Sequence, residues 1–176
     1  YRTITQAQFR RLCDEVGGIS SPDHLLSYLD NTGIVFYRPG LFDDAIILDQ
    51  GWALEAIYAV FHRGKCYRHI RRQRGRFTRL DLEGSVWGEH SAEEQKLFLS
   101  MMESCGICFE HRRIGLDDET EYIAPDLLPD RSEMVFELEQ KWDADEPTEA
   151  AVFEYAMLHP GLIRSVISRI GQEAGL

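Results

Sequence analysis

The chain moves between helical and strand periodicity in blocks. An apolar helix over about Pro22 to Asn31, PDHLLSYLDN, runs into Thr32-Gly33 and then into two β-rich runs, Ile34–Tyr37 and Ala45–Leu48. Between these runs stands Arg38-Pro39-Gly40, a turn by composition, because Pro presets φ and Gly accepts positive φ. Asp49-Gln50-Gly51 then opens a helix whose apolar stripe is Trp52, Ala56, Ile57, Val60 and Phe61.

A second block from Ser91 to Leu128 repeats the plan. Ser91 followed by Glu94 is a capping-box signal, and the helix it opens carries Leu97, Phe98, Met101, Met102 and Cys105 on one face. Gly106 ends it as Gly33 ends the first, because the residue past a helix end often takes the left-handed conformation. Ile107-Cys108-Phe109 is a short apolar run like Ile34-Val35-Phe36, a polar span from Arg112 leads to Tyr122-Ile123, and Asp126 is placed to cap a final turn. Aligning DNTGIVFYR with MESCGICFEH gives a weak repeat of roughly 75 residues. Helix, hairpin, helix is the plan of a winged-helix unit, so an α+β fold with tandem winged-helix-like units is expected.

Charge divides the chain further. The net charge is −11 over 176 residues, yet His62 to Arg76 holds seven cations and no carboxylate, leaving the rest at −18. The cations are Arg63, Lys65, Arg68, Arg71, Arg72, Arg74 and Arg76. Such a block reads first as a solvated, poorly ordered connector and second as a docking strip for an acidic partner or phosphate, with Tyr67 and Ile70 adding contact. Unit 1 then spans about 1–62, the connector 62–76 and unit 2 about 77–130.

A winged-helix plan invites a nucleic-acid reading. Such readers back a recognition helix with Lys and Arg. The Pro22–Asn31 helix has neither, and Ala92 to Ser104 sets Glu93, Glu94 and Glu103 against Lys96 alone. Phosphates are repelled from both, so nucleic-acid binding stands only as the rival function.

Metal and catalytic chemistry find little. Cys105-Gly106-Ile107-Cys108 has CxxC spacing and His111 extends it, with only Cys13, Cys66, His62 and His90 as remote ligand candidates for zinc. A redox thiolate sits at a helix N-terminus, whereas this pair falls at a C-terminus. Cys105 and Cys108 are therefore expected in the core, with the four thiols reduced. Phosphate-loop, dinucleotide, GxSxG and HExxH motifs are absent from the sequence, and Asp43-Asp44 and Asp117-Asp118 fall at loop tips. No catalytic, cofactor-binding or metal residue is assigned. No apolar run has the length of a membrane span, and a cytoplasmic location follows as the expectation.

The stretch FYRPGLFDDAIILDQGWALEAIYAVF, with GRFTRLDLEGSVWGEHSAEEQKLFLSMMESCGICF after it, closely resembles the COR domain of Roco proteins. The resemblance runs from about Ile19 to the C-terminus and is strongest from Leu29 to Phe109. In that family a Ras-like G domain, Roc, precedes COR directly, often with leucine-rich repeats upstream. The resemblance implies a non-enzymatic module that packs on Roc in the same polypeptide and links its nucleotide state to homodimerisation. GTP, GDP and Mg would then belong to Roc, and this chain would hold no cofactor.

The last segment completes the expectation. Residues 1–131 correspond to the N-terminal COR subdomain, and 132–176 to a connector and the opening of the C-terminal one. Asp130 to Thr148 is polar and acidic and reads as a connection. Ala151 to Leu158 is a strand candidate, His159-Pro160-Gly161 a turn, and Leu162, Ile163, Val166, Ile167 and Ile170 an apolar helix face. By family resemblance Tyr155, Leu158 and His159 lie near the Roc surface. The chain opens on Tyr1 and ends within a helical pattern, as an excised fragment would.

Overall fold

The computed structural model describes residues 1–40, 44–114, 119–141, 152, 154–157 and 159–174. It begins with a strand that the sequence pattern hides. β1 (Thr3–Thr5) pairs antiparallel with β2 (Ala45–Ile47), with Thr3 opposite Ile47. The expected hairpin of residues 34–37 and 45–48 is reduced to one bridge, Phe36 to Ile47, so β2 finds its main partner at the chain start. Three residues in β1 are too few to carry a readable alternation.

Two helices separate the strands, each started by a side chain that takes up an orphan backbone donor. Thr5 and Gln8 form a capping box for α1 (Gln6–Val16), and Ser21 caps α2 (Pro22–Asn31), whose first residue is Pro. Asp49 Oδ1 accepts from Trp52 N at 3.0 Å and opens α3 (Gln50–Phe61).

The next block is α4 (Tyr67–Arg72), β3 (Arg76–Thr78) and α5 (Arg79–Leu82), which continues as a π-turn over Glu83–Trp87. Then follow α6 (Ala92–Ser104), β4 (Phe109–Ile114) and β5 (Glu119–Ile123), with the sheet ordered β3-β5-β4. A 3-10 turn (Pro125–Leu127), α7 (Arg131–Lys141) and α8 (Pro160–Ala174) close the described chain.

The two blocks parallel one another in hydrogen bonds more clearly than in side chains. Ile47 faces Thr3 on one side and Phe36 on the other, and Ile123 likewise faces Arg76 and Phe109. Gly33 and Gly106 both end a helix at positive φ, +72° and +66°. Ile34 N donates to Leu29 O at 2.9 Å, as Ile107 N donates to Met102 O at 2.8 Å, the bond pattern of a helix closed by a left-handed residue. Thr5 and Thr78 each head a capping box. Thr5 to Thr78, Gly33 to Gly106 and Phe36 to Phe109 share one offset of 73 residues.

Two cores result. The smaller holds Ile4, Phe9, Cys13, Leu26, Val35 and Ile46. The larger draws Ala53, Ala56, Ile57 and Val60 from α3 and packs them with Trp87, Phe98 and Met102, so α3 ties the first block to the second. Trp87 is wholly buried, and its Nε1–H donates to Ala56 O at 2.9 Å. Gln95, also buried, donates to the carbonyls of Trp87 and His90 and accepts from Arg79. A buried polar group so satisfied avoids its desolvation penalty of roughly 1–3 kcal/mol.

Several expectations are corrected. The basic block is folded: Cys66 and Ile70 of its α4 segment enter the larger core, because two apolar residues four apart suffice to seat a short helix. Ile70 is thus core, not an exposed contact. Cys105 is exposed, since the helix has turned away from the core by its last residue, while Cys108 is buried. Asp126 sits inside its turn and does not cap it. The acidic segment after Asp130 forms α7 where a connection is expected. Of the strand candidate 151–158, the described residues Val152 and Glu154–Met157 are not strand, and no partner strand faces them among the described residues.

A candidate docking surface on the basic helix

The sides of α4 face different surroundings. Cys66 and Ile70 point into the core. Tyr67, Arg71 and, just beyond the helix, Arg74 share a stripe that meets α7. Arg68 and Arg72 fall at i and i+4 on another side, Lys65 stands just before the helix, and all three are exposed.

The α7 side is an ion-pair lattice. Arg71 Nη2 lies 2.8 Å from Asp130 Oδ2 and 2.7 Å from Glu133 Oε1. Its Nη1 donates to the Tyr67 hydroxyl at 3.3 Å. Arg74 and Glu137 form a two-pronged pair, Nη1 to Oε1 at 2.9 Å and Nη2 to Oε2 at 2.7 Å, the fork geometry that makes Arg–carboxylate pairs directional. Glu133, then Tyr67 and Asp130, hold the Arg71 guanidinium above its ordinary pKa, and Glu137 does the same for Arg74. The carboxylates stand at i and i+4 on α7 and the cations at i and i+3 on the strip. Arg63, Lys65, Arg68 and Arg72 make no side-chain bond with the described residues. Arg76 is half-buried in β3.

The remaining candidates lie elsewhere. His159 accepts from Gly161 N through Nδ1 at 3.0 Å, and its carbonyl accepts from Leu162 N, so it fastens the start of α8. Tyr155 is exposed, and Leu158 lies outside the described residues. No hydrogen bond or ion pair among the described residues joins Tyr155 or His159 to the strip.

α8 docks by a route that its apolar pattern does not announce. Gly171 packs so closely on the Phe109 ring that a Cβ there would collide with Phe109 Cζ. Ser168 Oγ donates to Gly106 O at 3.4 Å, and Arg164 forks onto Asp126 at 3.0 and 2.6 Å. Ile163, Val166 and Ile170 remain exposed, so the expected apolar face divides between protein and solvent.

No metal-binding group of three or more His, Cys, Asp or Glu side chains occurs among the described residues. Cys105 and Cys108 meet opposite environments, one exposed and one buried. Burial, then nearby Glu103, pushes the Cys108 thiol well above its ordinary pKa, opposite to what a reactive thiolate needs. No helix among the described residues is long and apolar enough to cross a membrane.

Residues 1–128 match the family described as C-terminal of Roc, COR-A domain. The chain belongs to the COR-A family. A solved structure, that of Methanosarcina barkeri Roco2 RocCORdC bound to GDP, has a similar fold, with a TM-score of 0.53 at 18% identity over 73% of this chain. The chain spans 39% of the length of that one. No curated protein matches it in sequence. The COR-A region therefore ends just before the α7 that grips its basic strip, and it contains every buried residue of both cores.

Proposed function

We propose that this COR-A chain is a non-catalytic module that packs on the Roc G domain of the same polypeptide and couples its GTP or GDP state to dimerisation. The observation that carries this reading is the COR-A match over residues 1–128, which places the module in a Roco-type protein. Likeness to a Roc–COR structure in fold supports it. GTP, GDP and Mg would be held by Roc, and no residue of this chain is assigned to them. The parent protein is read as cytoplasmic, with leucine-rich repeats as a common companion.

The second block runs strand, helix, helix, strand, strand with the last strand central, and the first follows the same order with a single bridge residue, Phe36, in place of its middle strand, which we read as winged-helix-like. In this chain they serve protein contact. The α2 helix carries Asp23 and Asp30 and no Lys or Arg, and α6 sets Glu93 and Glu94 at its N-terminus, where a DNA reader places cations. Tyr155, Leu158 and His159 are retained as candidate G-domain contacts.

Co-elution in gel filtration with the separately purified G domain tests the proposal. A shared peak is the expected result. Separate elution at high micromolar concentration, together with salt-sensitive binding of duplex DNA, would replace this reading with the nucleic-acid one.

A further inference from the structure

The α7 helix is held to the COR-A region in an unusual way. Leaving aside Arg131, Leu138 and Lys141, whose side chains are not described, none of its residues is fully buried; Met134 is half-buried, and Val135 and Phe136 are 38% and 73% exposed. Its ion pairs with the strip are those of Glu133 and Glu137, with Asp130 at its start, on Arg71 and Arg74. Exposed ion pairs are weak individually and weaken with salt, so an element fastened this way exchanges readily. An apolar interface would not.

The same geometry describes what the strip recognises: a helix with carboxylates at i and i+4, aligned so that one meets Arg71 and the next meets the Arg74 fork. We infer that the Arg71–Arg74 face of α4 is a receptor for an acidic helical segment of a partner protein, with α7 as its tethered competitor. Arg68 and Arg72, exposed and unpaired with the described residues, adjoin the receptor and extend it. Charge complementarity selects the occupant. The strip carries +7 in a chain otherwise at −18, so an extended nucleic acid meets net repulsion from the rest of the chain, whereas a short acidic helix needs only the strip. The inference holds whether or not the partner is the G domain. Tethering gives α7 an effective concentration in the millimolar range, so a trans ligand competes only when α7 is weakened or displaced.

The test uses the whole chain and a fluorescein-labelled peptide of residues 129–141. Asp130→Asn, Glu133→Gln and Glu137→Gln together free the face. The peptide is expected to bind this triple variant at least about fivefold more tightly than the unaltered chain at low salt. Adding Arg71→Gln and Arg74→Gln should abolish the gain, and a peptide with Gln at 133 and 137 should not bind. If the Arg variants fold poorly by circular dichroism, charge exchange replaces them: Arg71→Glu with Arg74→Glu should bind a peptide carrying Lys at 133 and 137. Equal affinity for the triple variant and the unaltered chain would overturn the inference. So would binding that survives loss of both arginines, or failure of the charge-exchanged pair to bind. Tighter binding of duplex DNA than of peptide to the triple variant would reassign the face to nucleic acid.

Discussion

Removing Trp87 is expected to cost this chain a large share of its stability and to loosen the junction between its two blocks. The indole is wholly buried between α3 and α6, its centroid 5.4 Å from that of Phe98, and its N–H is bonded to Ala56 O. A Trp side chain buries about 150–250 Å². At about 25 cal/mol per Å² that is roughly 4–6 kcal/mol, and measured Trp→Ala or Phe→Ala losses run about 3–5. Trp87→Ala should therefore cost about 4 kcal/mol, against a total of about 5–15 for a domain. Trp87→Phe keeps the ring contact and loses the N–H donor, for about 1–2 kcal/mol, since the net worth of one hydrogen bond is near 1. Urea unfolding followed by far-UV circular dichroism measures both. A single transition for the unaltered chain and the order Ala worse than Phe are expected. A cost below about 1 kcal/mol for Trp87→Ala would refute the claim that α3 and the second block share one core.

Three further outcomes follow from particular contacts. Gly171→Leu should drive α8 from Phe109, seen as faster amide exchange over residues 160–174 with exchange in α6 unchanged; unaltered exchange would show that α8 does not dock there. Iodoacetamide should label Cys105 alone in the native state and all four thiols in urea, because Cys13, Cys66 and Cys108 are buried; labelling of Cys108 at the same rate would contradict this. Burial, then Glu110, raises the Glu103 carboxyl above its ordinary 4.5, so its favourable neutral form is present below that value and lost as pH rises through the folded-state value. Glu103→Gln should then raise the melting temperature at neutral pH and have little effect below about pH 4; an equal effect at both would disprove the burial argument.

The sequence disclosed what is local. Ser91 with Glu94, the Asp49 cap, and Gly33 and Gly106 mark helix ends through neighbouring residues, and all stand where the pattern puts them. Partnerships across long separations were not legible. Thr3–Thr5 gives no sign that it pairs 42 residues on, and β3 meets β5 only after α5 and α6 are placed. The basic block misled for a similar reason: seven cations outweigh Cys66 and Ile70 in any average, yet those two seat the helix. α7 was hidden because its carboxylates are offset by arginines some sixty residues earlier. The candidate surface was thus visible as charge, while its occupant was not.

The most direct measurement is calorimetric titration of this chain with the parent's Roc G domain, loaded first with GDP and then with a GTP analogue. Binding in both states, with affinities that differ, is the predicted result, and the difference is the coupling free energy between nucleotide and COR-A. Equal affinities, or no heat in either state, would contradict a module that links nucleotide state to assembly.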